Sequence, residues 1–287
     1  MTRPHTEPPG ATGAVTRMTR ANASTGRVYF WQGGSLWIGQ GRGRTQWHAH
    51  HAHQLAVAPE GTFRFRTDEA GAWDSYEGAI VPSHCPHQFE VDASRMAHLF
   101  IEPESRAGRA LTERFGSAAV SRLPDADSRA AARSLFRRFE SAPQREPMVE
   151  AAMAAVAELC GATTEPDRAL DPRLARALEY IRAHVRQPIA LGDVAAAVAL
   201  SESRFRHLFV AHTGSSFRAY LLWLRINLAI EAVMAGASWT EAAHEAGFAD
   251  SAHLTRTHKR VFGIEPSAIR PTTTCDRGGV ARTRVAT

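Results

Sequence analysis

Apolar positions change their spacing along the chain. Between residues 27 and 102 they come in short runs bounded by Gly, Pro or Asp: residues 28–31, 54–58, 62–66, 79–81 and 97–101. Such runs between turn formers predict strands. Many short strands with tight turns predict a sandwich or a barrel. From residue 103 the spacing is helical. Residues 104–115 predict one helix and residues 125–140 another, with Ala132, Leu135, Phe136 and Phe139 apolar and Arg129, Arg133, Arg137 and Arg138 around them. Pro147 suits the first turn of a third, which carries Met148, Val149, Ala152, Met153, Val156 and Leu159.

Residues 161–172 hold two prolines and short polar side chains and read as a linker. Residues 173–185 predict a helix with Leu174, Ala177, Leu178 and Ile181 inward. Residues 216–235 predict a long one, striped by Phe217, Leu221, Leu224, Leu228 and Ala232. On either side of it stands the same pattern: short helix, turn, second helix. Val194-Ala195 matches Ala242-Ala243, and Ala199-Leu200 matches Gly247-Phe248. With one residue inserted in the second copy, Phe205 matches Leu254 and Gly214 matches Gly263. Asp250 or Ser251 can cap the second copy's basic helix. Helix, tight turn, helix is the helix-turn-helix arrangement, whose second helix enters the DNA major groove.

Residues of about 171–271 resemble the DNA-binding domain of AraC/XylS-type transcription regulators. The resemblance rests on Ser201-x-Ser203 with Phe209, on Tyr220-Leu221 followed by Arg225 and Ala229, on Ala246-Gly247-Phe248-x-Asp250, on Arg256, and on Gly263-x-x-Pro266. It implies one seven-helix module whose two recognition helices reach successive major grooves, a helical turn of ~34 Å apart. Four positions depart from the family pattern. Ala199 stands for a glycine in the first turn, His258 for an apolar aromatic, Ala252 for a serine and His207 for an arginine. A positive φ at Ala199 would cost about 1 kcal/mol.

The candidate DNA contacts are Ser201, Ser203, Arg204, Arg206 and His207 in the first unit and Ser251, His253, Thr255, Arg256, Lys259 and Arg260 in the second. An arginine on a guanine edge discriminates by ~1–3 kcal/mol. Lys259 and Arg260 lie further along their helix and suit phosphates. Each residue's alternative role is phosphate attraction or solvation.

The resemblance also implies that the strand-rich part is a cupin-like barrel which senses a small molecule and can pair two subunits. The helices after the barrel either pair subunits or cover a sheet of their own barrel. The expected fold is therefore α+β: an N-terminal cupin-like β-barrel with following helices, then an all-α DNA-binding domain with two helix-turn-helix units. The expected segments are a disordered arm (1–26), the sensing or dimerisation domain (27–160), the linker (161–172), the DNA-binding domain (173–271) and a disordered tail (272–287). Met18 is an alternative translation start.

Histidines make the barrel's chemistry ambiguous. Trp47-His48-Ala49-His50-His51-Ala52-His53-Gln54-Leu55 and Pro82-Ser83-His84-Cys85-Pro86-His87 resemble the two cupin motifs. His48, His50 and His87 match a cupin metal site, with Gln54 in place of the usual acid and His84 where glycine is usual. Three imidazoles can hold Zn, Fe, Ni or Cu. The other reading gives these residues, with Gln54 and His84, to a ligand pocket or to the fold's own hydrogen bonds.

Net charge is +5 over 287 residues, which suits a polyanionic partner. Within residues 171–270 twelve Lys and Arg face nine Asp and Glu, so non-specific phosphate attraction is moderate. Cys85, Cys160 and Cys275 are odd in number and not at metal spacing, which points to a reducing cytoplasm. No apolar run is long enough to cross a membrane. The expected protein is a sequence-specific transcription regulator and not an enzyme. Its expected partners are double-stranded promoter DNA, an unknown small-molecule effector, RNA polymerase if it activates, and a second copy if it dimerises. The alternative is a metal-dependent cupin enzyme with an accessory DNA-binding domain.

Overall fold

The computed structural model describes residues 22–160 and 170–271. The expected tail, most of the arm and most of the linker lie outside these residues. Two expected boundaries shift. The first strand already begins at Ala23, inside the arm, and Asp171-Pro172 belongs to a helix start rather than to the linker.

Strands β1 (Ala23–Trp31) and β2 (Gly34–Arg44) form a long hairpin. The glycines of β2 read as turn formers in the sequence, which therefore does not predict this strand. Their role is close approach: a Cβ on Gly39 would sit 2.6 Å from the Cα of Gly26 across the pair. The spine is β7 (Gln88–Ile101). It pairs with β2, with β3 (His53–Val57) along its second half, and with β4 (Phe63–Arg66) at its start. Strand β5 (Asp74–Tyr76) flanks β4, and β6 (Gly78–Val81) flanks β3. The sheet rolls into a nearly closed antiparallel barrel. Phe63, Phe65, Tyr76, Phe89, Val91 and Met96 form one of its cores, the usual fate of aromatics on strands. Trp73 lies beneath the guanidinium groups of Arg44 and Arg66 at 4.9 and 5.0 Å.

Helices α1 (Arg106–Phe115), α2 (Asp125–Ser141) and α3 (Arg145–Cys160) follow, with a two-residue β8 (Ser121–Arg122) edging β6. Leu111, Leu135, Phe136, Met148, Ala152 and Val156 share a core with Leu55, Ile80 and Leu99. These helices thus cover a face of their own barrel.

The remainder is α4 (Pro172–His184), α5 (Leu191–Ala197), α6 (Glu202–Thr213), α7 (Phe217–Met234), α8 (Trp239–Glu245), α9 (Ser251–Phe262) and a 3₁₀ turn, Pro266–Ala268. Among the described residues, six α-helices and this turn stand where the resemblance implied seven helices. Leu174, Ile181, Val194, Phe205, Phe209 and Tyr220 form the core of the first half. The second half is not self-contained. Ile226, Ile230, Phe248, Leu254 and Phe262 share their core with Ala52 and Phe100 of the barrel. Trp37 of β2 packs on Phe262 at 5.1 Å between ring centres, and Phe100 packs on it at 5.7 Å. A final strand, β9 (Ile269–Pro271), adds parallel to β1, with Ser24 opposite Ile269.

Candidate nucleic-acid interface and histidine site

Both helix-turn-helix units are set by local backbone chemistry. In the first, Ala199 takes φ 55° at the turn and Ser201 caps α6 by accepting from the Arg204 N–H at 3.4 Å. Ala199 thus carries the strain that a glycine would avoid. In the second, Gly247 takes φ 79° at the matching turn. A Cβ there would lie 2.9 Å from the Arg186 carbonyl, so the position excludes side chains on two grounds. Asp250, rather than Ser251, caps α9, accepting from the His253 N–H at 2.6 Å. Both recognition helices end on left-handed glycines, Gly214 at φ 67° and Gly263 at φ 69°.

The candidate contacts separate by environment. Ser203, Arg204, Arg206 and His207 are exposed on α6, while Phe205 and Phe209 point into the core. Arg256 and Arg260 are exposed on α9. The other candidates have work inside the protein. Ser201 caps its helix, Thr255 donates to the Ser251 carbonyl at 2.9 Å, and His253 stands edge-on to Phe248 at 5.2 Å. Lys259 pairs with Glu265 at 2.7 Å. His258, in place of an aromatic, is fully buried against Phe262 and Trp239. Its Nδ1 lies 2.9 Å from the Ile264 carbonyl, and burial lowers its pKa to about 4, so it serves as a neutral core ring.

Residues 194–272 match the family model of a helix-turn-helix domain. The C-terminal module is a helix-turn-helix domain. Over 98 residues the chain is 32% identical to an uncharacterized HTH-type transcriptional regulator, YidL of Escherichia coli K12, covering 34% of this chain and 33% of that protein. Over 110 residues it is 30% identical to the regulatory protein PocR of Salmonella typhimurium, covering 38% of this chain and 36% of that one. The match thus spans about a third of the length of these curated relatives. The barrel and the helix-turn-helix module together share the fold of ToxT from Vibrio cholerae O395, at TM-score 0.53 and 10% identity, covering 86% of this chain and 94% of that chain. The structure of an apo ToxT point variant from Vibrio cholerae strain SCE256 agrees, at TM-score 0.55 and 10% identity, covering 84% and 97%.

The barrel brings three of its histidines together. His48 and His87 face each other in a short antiparallel bridge, and His50 follows in the same loop. Their candidate ligand atoms all lie within 4.8 Å of one another. Burial lowers the pKa of His48 to about 3, with the neighbouring His50 adding to it, and that of His50 to about 4. Burial, then His48 and His50, holds His87 well below the ordinary value. All three are neutral rings, as metal ligation requires. The carboxamide of Gln54 lies 2.9 Å from His50 Nε2 and 2.9 Å from His98 Nδ1. The Nε2 of His87 is buried without a hydrogen-bond partner. An orphaned ring nitrogen beside two others fits an ion better than it fits a closed hydrogen-bond network. His84 does not join this group. Its φ is 61°, and its Nε2 lies 3.0 Å from Ser215 Oγ of the helix-turn-helix module.

A second cluster, which the sequence reading missed, lies where barrel and module meet. Glu102 accepts from Arg182 at 3.0 Å and from the Trp223 indole at 3.2 Å. His51 bridges Glu104, at 2.9 Å, and Ser215, at 2.9 Å. Burial, reinforced by Glu104, raises the Glu102 pKa. Burial would also raise that of Glu104, but His51 holds it below the ordinary value. The one signal for this cluster was a pair of acids closing the apolar run Leu99-Phe100-Ile101.

A cavity of about 120 Å³ opens at the same junction. Trp37, His48, Gln54, Phe100, Phe262 and Ile264 are among its lining residues, so its walls come from both the barrel and the second helix-turn-helix unit.

Proposed function

We propose that this chain is a one-component transcription regulator that binds a specific promoter site through α6 and α9 and whose barrel answers to a small effector. One observation carries the reading: two helix-turn-helix units, each capped and glycine-terminated, bury one face of α6 and α9 and present arginines on the exposed face. Arg204 and Arg206 on α6 and Arg256 on α9 are the base-reading candidates. Arg260 and Lys259 suit phosphates, the latter weakened by its pairing with Glu265. The effector site is the cavity between Trp37, Gln54, Phe100 and Phe262, where an apolar ligand with one polar group fits the lining. ToxT, which has this fold, has been solved bound to (E)-4-(8-methylnaphthalen-1-yl)but-3-enoic acid (TM-score 0.53, 9% identity, covering 82% and 97%). That supports a ligand-binding role for the arrangement.

In this reading the barrel is not an enzyme, and Gln54 in place of an acid leaves the histidine group without a catalytic carboxylate. No helix among the described residues is long and apolar enough to cross a membrane. A promoter-binding regulator works in the cytoplasm, and that location is part of the proposal. Activation through RNA polymerase and pairing with a second copy complete the proposal, since two linked modules gain affinity by effective concentration. The test is selection of bound genomic fragments at fixed salt, together with thermal-shift screening of small amphipathic ligands. An enriched two-part motif and a ligand that both stabilises the protein and changes its DNA affinity are expected. Absence of any enriched motif overturns the reading.

A further inference from the structure

The two helix-turn-helix units are joined to the barrel at different places and by different chemistry. The first unit meets it through polar side chains. Arg182 of α4 reaches Glu102, and Ser215, in the turn after α6, stands 2.9 Å from His51 Nδ1 and 3.0 Å from His84 Nε2. Among the described residues, the apolar core of this unit takes in no barrel side chain. The second unit shares its core with Ala52 and Phe100. The Gln46 N–H donates to the Gly263 carbonyl at 2.7 Å, and the chain beyond α9 runs on into the barrel sheet as β9.

The cavity between barrel and module lies on the second attachment. From the module it is lined by Phe262, the last residue of α9, and by Ile264, Ala268 and Ile269 of the segment leading into β9. Among the described residues, none from α4 to α8 lines it, and neither do Glu102, His51, His84 or Ser215. Phe262 packs on Trp37 at 5.1 Å and on Phe100 at 5.7 Å, both of them cavity walls. At about 120 Å³ the cavity far exceeds the roughly 10–15 Å³ that one water needs, so it has room for a small organic molecule. An occupant therefore touches the end of α9 directly and α6 not at all. Close-packed interiors pass a change at a wall to whatever is packed behind it. Arg256 stands six residues before Phe262 on the same helix, about 9 Å along its axis.

We propose that an occupant of this cavity re-aims α9 alone, through Phe262, so that the effector governs the DNA half-element read by α9 while α6 holds its own half-element in either state. Control of one half-element presupposes the two-helix DNA-binding reading and adds to it which helix the effector acts on.

A side chain built into the cavity is the probe, so the natural effector is not needed. Gly41 lines the cavity, and a Cβ there meets Val91 Cγ1 at an ordinary 3.6 Å and nothing closer. Full-length Gly41→Leu is compared with wild type on three DNAs: the selected motif, the motif with its α6 half-element scrambled, and the motif with its α9 half-element scrambled. Arg204→Ala and Arg256→Ala assign the half-elements. Gly41→Leu is expected to change the affinity for the first two DNAs by at least about fivefold and to match wild type on the third. Adding Phe262→Leu to Gly41→Leu shrinks that factor. Should Gly41→Leu fail to fold, the smaller Gly41→Val serves with the same expected order of DNAs. A change that persists when the α9 half-element is scrambled, or that vanishes when the α6 half-element is scrambled, overturns the proposal, and so does an unchanged affinity on all three. A wild-type selection without a two-part motif is a separate failure: it removes the regulator reading itself before any cavity variant is made.

Discussion

Glu102, the residue that closes the longest barrel strand, accepts a hydrogen bond from Arg182 of α4 at 3.0 Å. The bond crosses from the barrel to the DNA-binding module, and Trp223 of α7 meets the same carboxylate. Truncating Arg182 leaves a buried acid facing Glu104 with its guanidinium removed. Arg182→Ala should destabilise the protein by about 2 kcal/mol, below the usual penalty for breaking a buried pair because the Arg182 side chain is 27% exposed. Glu102→Gln should cost less, because the amide oxygen still accepts from Trp223. Urea unfolding followed by tryptophan fluorescence measures both, and equal stabilities for wild type and Arg182→Ala would show that the cluster contributes nothing.

Gly263 is held at φ 69° against the Gln46 carbonyl. Gly263→Ala introduces left-handed strain of about 1–2 kcal/mol and a contact the loop cannot accept without moving. The expected result is a lower melting temperature together with a weakened response of DNA binding to effector. A variant that melts like wild type and responds fully would mean that the cap does not connect the two parts.

The salt dependence of DNA binding separates the cations of α9. Arg260 is exposed, whereas Lys259 is tied to Glu265. Arg260→Ala should weaken binding to all sequences and lower the salt slope by about one. Lys259→Ala should lower it by less. The reverse order, measured by fluorescence anisotropy across a salt series, would place Lys259 on the phosphate.

Acid should unfold this protein early. Burial lowers the pKa values of His50, His53, His98 and His258 to about 4 and that of His48 to about 3, against an ordinary 6.5. The unfolded chain binds protons that the folded one refuses, so stability is complete above pH ~6.5 and falls as pH drops toward 4. Each such ring costs about 1.4 kcal/mol per pH unit, and five together approach the 5–15 kcal/mol that holds a typical domain. Melting temperatures from pH 7.5 to 4.5 should fall steeply below 6.5. A flat profile would mean that these rings take protons without unfolding.

The helical half of the molecule was legible because its instructions are local. Capping residues such as Ser201 and Asp250, glycines at 247 and 263, and apolar spacing each act within one or two turns. The positive φ at Ala199 was readable from its alignment with Gly247. The barrel was less legible. Its β2 strand is rich in glycine for a reason that exists only across the sheet, where Gly39 faces Gly26. The convergence of His48, His50 and His87 followed from motif resemblance, and the structure adds their carbonyl partners. The Glu102–Arg182 contact and the pairing of Ile269 with Ser24 join residues far apart in the chain. No local pattern encodes them, and only docking of the module on the barrel creates them.

The most direct measurement is selection of bound fragments by the full-length protein at near-physiological salt, repeated with Arg204→Ala and Arg256→Ala. The expected motif has two half-elements about one helical turn apart, with ~1–3 kcal/mol of discrimination lost at a different half-element for each variant. Variants that lose affinity equally on every sequence, or a motif that neither variant alters, would contradict reading by two recognition helices.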